Sequence, residues 1–213
     1  MLLYRLGTIV LVNWVGVLVM AQTTVDLGLP KNSGLAIPPN QKKVFTALGS
    51  GFQLYKCTAS GASFAWTNIG ASADLYDLNN VPNPQTVPDE LMRGGRSTAP
   101  RPVLGGDKGF KLVGRHFFNT DAKPQPVFQI NKDSVTAKKV ASTKSPGKPG
   151  RNADWLQLSV VTPNGFANTI FRTSTRGGQL AGVPCQSQDT KAVRQVPYAA
   201  LVSCGKSQKN HKL

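Results

Sequence analysis

Beyond residue 21, no stretch of this chain keeps a helical period for ten residues, and where apolar side chains recur they recur at every second position. Residues 154–162 show it best. Leu156, Leu158 and Val160 fall on one face, with Trp155, Gln157, Ser159 and Val161 on the other. That is the two-residue period of a strand. Residues 52–58 set Phe52 and Leu54 against Tyr55 and Cys57. Residues 109–118 set Phe110, Leu112, His116 and Phe118 against Lys111, Val113, Arg115 and Phe117. Phe64 and Trp66 share a third such face. Turn signals separate these runs: Gly49-Ser50-Gly51, Ser60-Gly61, Pro163-Asn164-Gly165 and Arg176-Gly177-Gly178. With 21 glycines and 15 prolines in 213 residues, the chain has the punctuation for many short strands. The pattern predicts an all-β, mostly antiparallel, single-domain sandwich or barrel of eight to ten strands, with long Pro/Gly-rich loops. The strand candidates are 42–48, 52–58, 63–69, 73–78, 109–118, 127–130, 154–162, 166–175 and 193–202, the last broken or bent at Pro197.

Residues 79–108 hold five prolines, four glycines and three arginines, which leaves room only for a turn of helix at 88–92. Long loops of this kind inside a domain are commonly functional. Residues 138–151 read as a basic loop without a carboxylate. Residues 22–41 read as an extended N-terminal arm, 42–204 as the β-rich domain, and 205–213 as a basic tail.

The first 21 residues read as an address. Arg5 precedes an apolar run from residue 6 to 20, and Val19-Met20-Ala21 forms a cleavage site of secretory type. Fifteen apolar residues span about 22 Å as a helix, short of a bilayer core of roughly 30 Å. The expectation is a cleaved signal peptide and a secreted protein, extracellular or in the cell wall, with no transmembrane anchor in the mature form. Removing 21 of 213 residues leaves 192; it removes Arg5 and no acid, so the charge falls from +15 to +14. Cys57, Cys185 and Cys204 then meet an oxidising compartment, where three thiols allow one disulfide and leave one over.

The residues select no catalytic site. His116 is the one histidine inside the domain and shares a face with Phe110, Leu112 and Phe118, which favours a structural role over catalysis. No Gly-x-Ser-x-Gly elbow occurs, and one His with scattered Cys and Asp makes a poor metal site. Asp74 and Asp77 point to opposite strand faces, and Asp89-Glu90 lies in the long loop, so nothing marks a carboxylate pair. No catalytic, metal or cofactor-binding residue is assigned, and no cofactor is expected.

Charge is the remaining signal: 25 Lys+Arg stand against 10 Asp+Glu. One cluster is Arg93, Arg96, Arg101, Lys108, Lys111 and Arg115. A second is Lys138, Lys139, Lys144, Lys148 and Arg151. The tail adds Lys206, Lys209 and Lys212. The first two clusters are the candidate anion-binding residues. The basic loops lack the aromatic interleaving that stacks bases, and no nucleic-acid-binding motif occurs, so nucleic acid is the weakest polyanion candidate. Acidic polysaccharide, an anionic membrane surface or a host protein fits better.

Several motifs, in order, carry a resemblance across roughly residues 35–204. They include Gly51-Phe52-Gln53-Leu54-Tyr55-Lys56-Cys57, Ala73-Asp74-Leu75-Tyr76-Asp77-Leu78 and Gly114-Arg115-His116-Phe117-Phe118. Lys138-Lys139-Val140-Ala141-Ser142 and Asp154-Trp155-Leu156-Gln157-Leu158 follow. Arg172-Thr173-Ser174-Thr175-Arg176-Gly177-Gly178 and Val196-Pro197-Tyr198-Ala199-Ala200-Leu201 complete the set. Together they resemble a family of secreted fungal and bacterial proteins of unknown function, whose fungal members often carry the label malate dehydrogenase. The resemblance implies a secreted, β-rich single domain and a Cys57–Cys185 disulfide, with Cys204 as the odd thiol. It implies no catalytic residues. The dehydrogenase label conflicts with the residues. The nearest glycine-rich segment, Gly49-Ser50-Gly51-Phe52-Gln53-Leu54, lacks the third glycine and runs into a strand, not a helix N-terminus. The expected function is a non-enzymatic binding or interaction role outside the cell, effector-like if the producer has a host. An extracellular enzyme on an acidic or polysaccharide substrate is the alternative.

Overall fold

The computed structural model describes residues 34–93, 109–180 and 182–208. Eight strands follow in chain order: β1 (Gln41–Ser60), β2 (Ser63–Asp77), β3 (Leu112–Phe118), β4 (Pro126–Ile130), β5 (Asp133–Thr143), β6 (Trp155–Val160), β7 (Thr169–Gly177) and β8 (Val193–Ser207). Each pairs antiparallel with the next, and β8 pairs back onto β1, closing a barrel. The all-β, antiparallel expectation holds, and of its two architectures the barrel is the one formed. A short helix, α1 (Val87–Arg93), falls where the turn of helix was expected.

One expected turn is not a turn, and one expected pair of strands is a single strand. Gly49-Ser50-Gly51 lies inside β1, which is one strand of 20 residues, and the two candidates at 63–69 and 73–78 are the single strand β2. Gly51 shows why glycine is needed mid-strand. A Cβ there would sit 2.1 Å from the Ser72 carbonyl oxygen and 2.6 Å from the Ala73 Cα on the paired strand. The residue marks close backbone approach in a coiled barrel wall, not a chain reversal. The reversal between β1 and β2 comes at Gly61, with φ of 60°.

Three other readings change. β5 was missed: Lys138 and Lys139 are strand residues, and the basic loop begins only after Thr143. Val135 and Ala137 are buried there and alternate with Ser134 and Thr136 behind the left-handed Asn131. β8 continues to Ser207 without a break at Pro197. Gly205, Lys206 and Ser207 therefore pair with β1 instead of starting a free tail. On β3, Leu112 is half exposed and Val113 is buried, the reverse of the expected faces. The register explains it: Gly114 faces Leu75 and Leu112 faces Tyr76, so Val113 is an extra residue that inverts the alternation below it.

The interior is packed at one end. Ala47, Leu75, Ile130, Val135, Ile170 and Val202 meet there, with Cys204 among them. Leu156, Leu158 and Val160 share one face as expected, and that face is the interior one. Outside the wall, Val87 and Leu91 of α1 cover Leu48, Tyr76, Ala199 and Leu201. Arg176 Nε donates to Asp89 Oδ1 at 2.6 Å and ties that helix to β7.

Candidate ligand site

Beyond the packed end, the barrel encloses a cavity of about 690 Å³. Leu75, Leu158 and Val202 form its floor, and its walls come from the later halves of β1, β3 and β5, the early halves of β2, β4, β6 and β8, and Arg172 of β7. An eight-stranded barrel has an interior just wide enough to be filled by side chains or to hold one small ligand. The volume lies within the usual range of small-molecule pockets. Four connections lie at the open end: 61–62, 119–125, 144–154 and 178–192. Lys123, Lys138 and Lys139 line the opening.

Period two placed Gln53 and Tyr55 on the same side of β1, and both point inward. Arg172 enters from β7. Its Nε and Nη2 donate to the Asp154 carbonyl at 3.2 and 2.9 Å, and its Nη1 is 3.5 Å from Gln53 Oε1. Among the described residues no carboxylate lies within ion-pairing distance of Arg172. The Asp154 carboxylate favours its charge only from farther off, and burial pushes the guanidinium below its usual pKa range. Asn68 Nδ2 donates to Gln53 Oε1 at 3.3 Å. Gln53 Nε2 is buried and makes no hydrogen bond of ordinary geometry, though it lies toward the Tyr198 hydroxyl and would favour its ionisation. Tyr55 donates to the Gly178 carbonyl at 2.7 Å. Burial raises both tyrosines above their ordinary range, so both stay neutral.

His116 sits in the cavity wall, 6% exposed. Its ring stacks on Phe128 with centroids 4.2 Å apart and tilts against Phe118 at 5.7 Å. Nδ1 is 2.9 Å from the Val127 carbonyl, which can only accept, so Nδ1 carries the proton. Burial lowers the pKa to about 4, and the ring is neutral at pH 7. The ring is buried, as its strand face led one to expect, although its partners are Phe128 and Phe118 and not Leu112.

The structure divides the candidate cations. Lys138 and Lys139 reach the cavity edge near the bulge at Val140. Lys144, Lys148 and Arg151 lie on the 144–154 connection at the same end. Lys144 Nζ bonds Asp154 Oδ2 at 3.2 Å, so this loop is not free of acid in space. Arg93, Lys111 and Arg115 lie elsewhere, on α1, just before β3 and in the middle of β3. Arg93 bonds Asp89, and Arg115 is 3.8 Å from Asp74. Arg96, Arg101, Lys108 and the tail beyond residue 208 fall outside the described residues, as does the signal segment. Sequence reasoning missed Arg172, Gln53 and Asn68, although Gln53 and Arg172 stand in quoted motifs. Their only signal was a polar residue at an inward strand position.

The carboxylates have mainly structural partners. Asp77 accepts from the Asn79 N–H, and Glu90 from Thr86 Oγ1. Asp154 and His116 do line one cavity, but no carboxylate perturbs the histidine. Among the described residues no group of His, Cys, Asp and Glu is arranged to hold a metal ion. Gly49-Ser50-Gly51 has no helix after it and offers no pyrophosphate cradle. Cys57 and Cys185 form the expected disulfide, fastening the 178–192 connection to the end of β1 beside the opening. Cys204 is free and buried, its thiol pushed up to about 12.

Fold and site together define a closed eight-stranded β-barrel, disulfide-tied at one end, with a ligand-sized polar and aromatic cavity. The chain belongs to a family described as proteins of unknown function (DUF3455), whose model matches residues 38–201. Comparison with curated proteins and with solved structures gave no match.

Proposed function

We propose that this is a secreted, non-enzymatic binding protein that meets anionic partners at the open end of its barrel. The observation that carries the reading is the gathering of Lys123, Lys138 and Lys139 around the cavity mouth, with Lys148 and Arg151 on an adjoining loop. Like charges collected at one opening raise the local concentration of an anion. The disulfide supports an oxidising compartment, and no helix among the described residues is long and apolar enough to cross a membrane. Acidic polysaccharide, an anionic membrane surface or an acidic host protein supplies the complementary charge, and an effector-like role follows if the producer lives on a host.

The test is retention of the mature protein on immobilised heparin and pectate. Retention at low ionic strength that falls steeply with added salt is expected, because exposed charges more than about 10 Å apart are screened at 0.1 M. Salt-independent behaviour, or none at low salt, overturns the reading. The presence of Asp154 and His116 in one cavity favours a second reading, an enzyme on an acidic polysaccharide. Release of reducing ends from pectate, lost in Asp154→Asn, would establish that reading in place of the first.

A further inference from the structure

The inner cavity raises a question separate from the mouth. Arg172 lines the cavity from β7 and is half-buried there. A guanidinium has five N–H donors and stays charged in proteins. Two of those donors go to the Asp154 carbonyl at normal lengths, and a third reaches Gln53 Oε1 only at 3.5 Å. The Asp154 carboxylate bonds Lys144 through Oδ2, leaves Oδ1 buried without a hydrogen bond, and acts on Arg172 only from beyond ion-pairing distance. Buried charges are ordinarily paired, because leaving one alone in a low-dielectric interior is costly. Beside Arg172, Gln53 is 3% exposed and its Nε2 has no hydrogen-bond partner of ordinary geometry. A cation with no carboxylate at ion-pairing distance and an amide donor that lies toward the Tyr198 hydroxyl without an ordinary hydrogen bond thus share one pocket with room for a small molecule. The rest of the wall is of another kind: Phe118, Phe128, Leu156, Leu158 and the neutral His116 ring present apolar and aromatic faces.

We infer that the cavity binds a small organic acid, its carboxylate on Arg172 and Gln53 Nε2 and its apolar or aromatic body against Phe128 and Leu156. A carboxylate suits the donors. Arginine forks match carboxylates in bidentate fashion, and the one further donor completes a monoanion's needs, whereas a dianionic phosphate calls for more. The cationic mouth favours entry of anions over neutral analogues. This site goes beyond surface adhesion to a polyanion, and either can fail without the other.

The experiment uses two fluorescent probes of similar shape, anilinonaphthalene sulfonate and the sulfonate-free phenylnaphthylamine, titrated into the disulfide-bonded mature protein. The sulfonate stands in for the carboxylate as a monoanion. Displacement of bound probe by cinnamate and by cinnamyl alcohol repeats the contrast with the carboxylate itself. The charged member of each pair is expected to bind at least about tenfold tighter. Arg172→Met removes that preference, Gln53→Leu weakens it, and the mouth variant Lys138→Ala/Lys139→Ala leaves a preference of at least about threefold. Equal binding of charged and neutral members overturns the organic-acid assignment while leaving a cavity that binds ligands. Failure of both probes to bind overturns the cavity as a ligand site, whatever the heparin result. If circular dichroism shows that Arg172→Met does not fold, the charged and neutral pairs on the wild-type protein still decide the matter.

Discussion

At the scale of single residues, backbone proximity matters as much as side-chain chemistry. Gly51 faces Ala73 across the β1–β2 ladder, with the Ser72 carbonyl where a Cβ would go. That obstacle is backbone and cannot rotate away, so Gly51→Ala must push two paired strands apart. The expected loss is more than about 2 kcal/mol, within the range for overpacking a tight site, read as a lower urea midpoint at unchanged slope. An unchanged midpoint would mean that the wall yields locally. His116 contributes a pH dependence. Its folded pKa is about 4 against 6.5 unfolded, so between those values the unfolded chain holds the proton and the folded chain does not. Stability is fully present above about pH 6.5 and declines as pH falls toward 4. The whole step is about 3 kcal/mol, at 1.36 kcal/mol per pKa unit. Urea unfolding at pH 7.5 and at 4.5 should show this loss in the wild type and a smaller one in His116→Gln. Equal losses would assign the acid sensitivity to carboxylates instead.

At the scale of elements, the 178–192 connection is held by several kinds of contact. The Cys57–Cys185 bond joins it to the end of β1 across 128 residues of sequence. Trp66 Nε1 donates to the Pro184 carbonyl at 3.4 Å, and the Arg194 guanidinium lies 5.6 Å from the Trp66 ring centroid. Further along, Asp189 closes a capping box with Gln186 on a short 3-10 turn. Because the bridge spans so much chain, chain-entropy reasoning gives it roughly 3–5 kcal/mol. Cys57→Ser/Cys185→Ser should lose that much in denaturant unfolding, and Trp66 emission should shift as the connection loosens at the mouth. A loss under about 1 kcal/mol would mean that the remaining contacts hold the connection unaided. The helix α1 acts differently. It covers an outward stripe of β1 and β8 that would otherwise expose Leu48 and Leu201 to water, which is why a helix of only seven residues persists.

At the scale of the whole molecule, closure decides which charges act together. Lys138, Lys139, Lys148 and Arg151 belong to the open end, whereas Lys111 and Arg115 belong to the other end and the outer wall. Neutralising the first four with glutamine should therefore lower the salt needed for elution from heparin far more than neutralising the last two. Equal effects would show that net charge alone governs retention. Much of the fold was legible in the chain. Leu156, Leu158 and Val160 alternate as an inward face, and Tyr55 and Cys57 as another, because a pleated strand exposes alternate residues to opposite sides. The stretch 133–137 was harder to read, since Ser134 and Thr136 make a weak polar phase between Val135 and Ala137. Leu112 was misplaced because one bulge residue inverts parity and leaves no mark in composition. The sequence by itself determined the strand period, the excess of cations and the three cysteines available for pairing, all of them local or additive properties. Tertiary structure alone decided that β8 returns to β1, that Arg172 meets Gln53 from across 119 residues, and that a cavity remains above the packed end. Those depend on which inward positions face one another around a closed ring, and periodicity along a single strand carries no record of that.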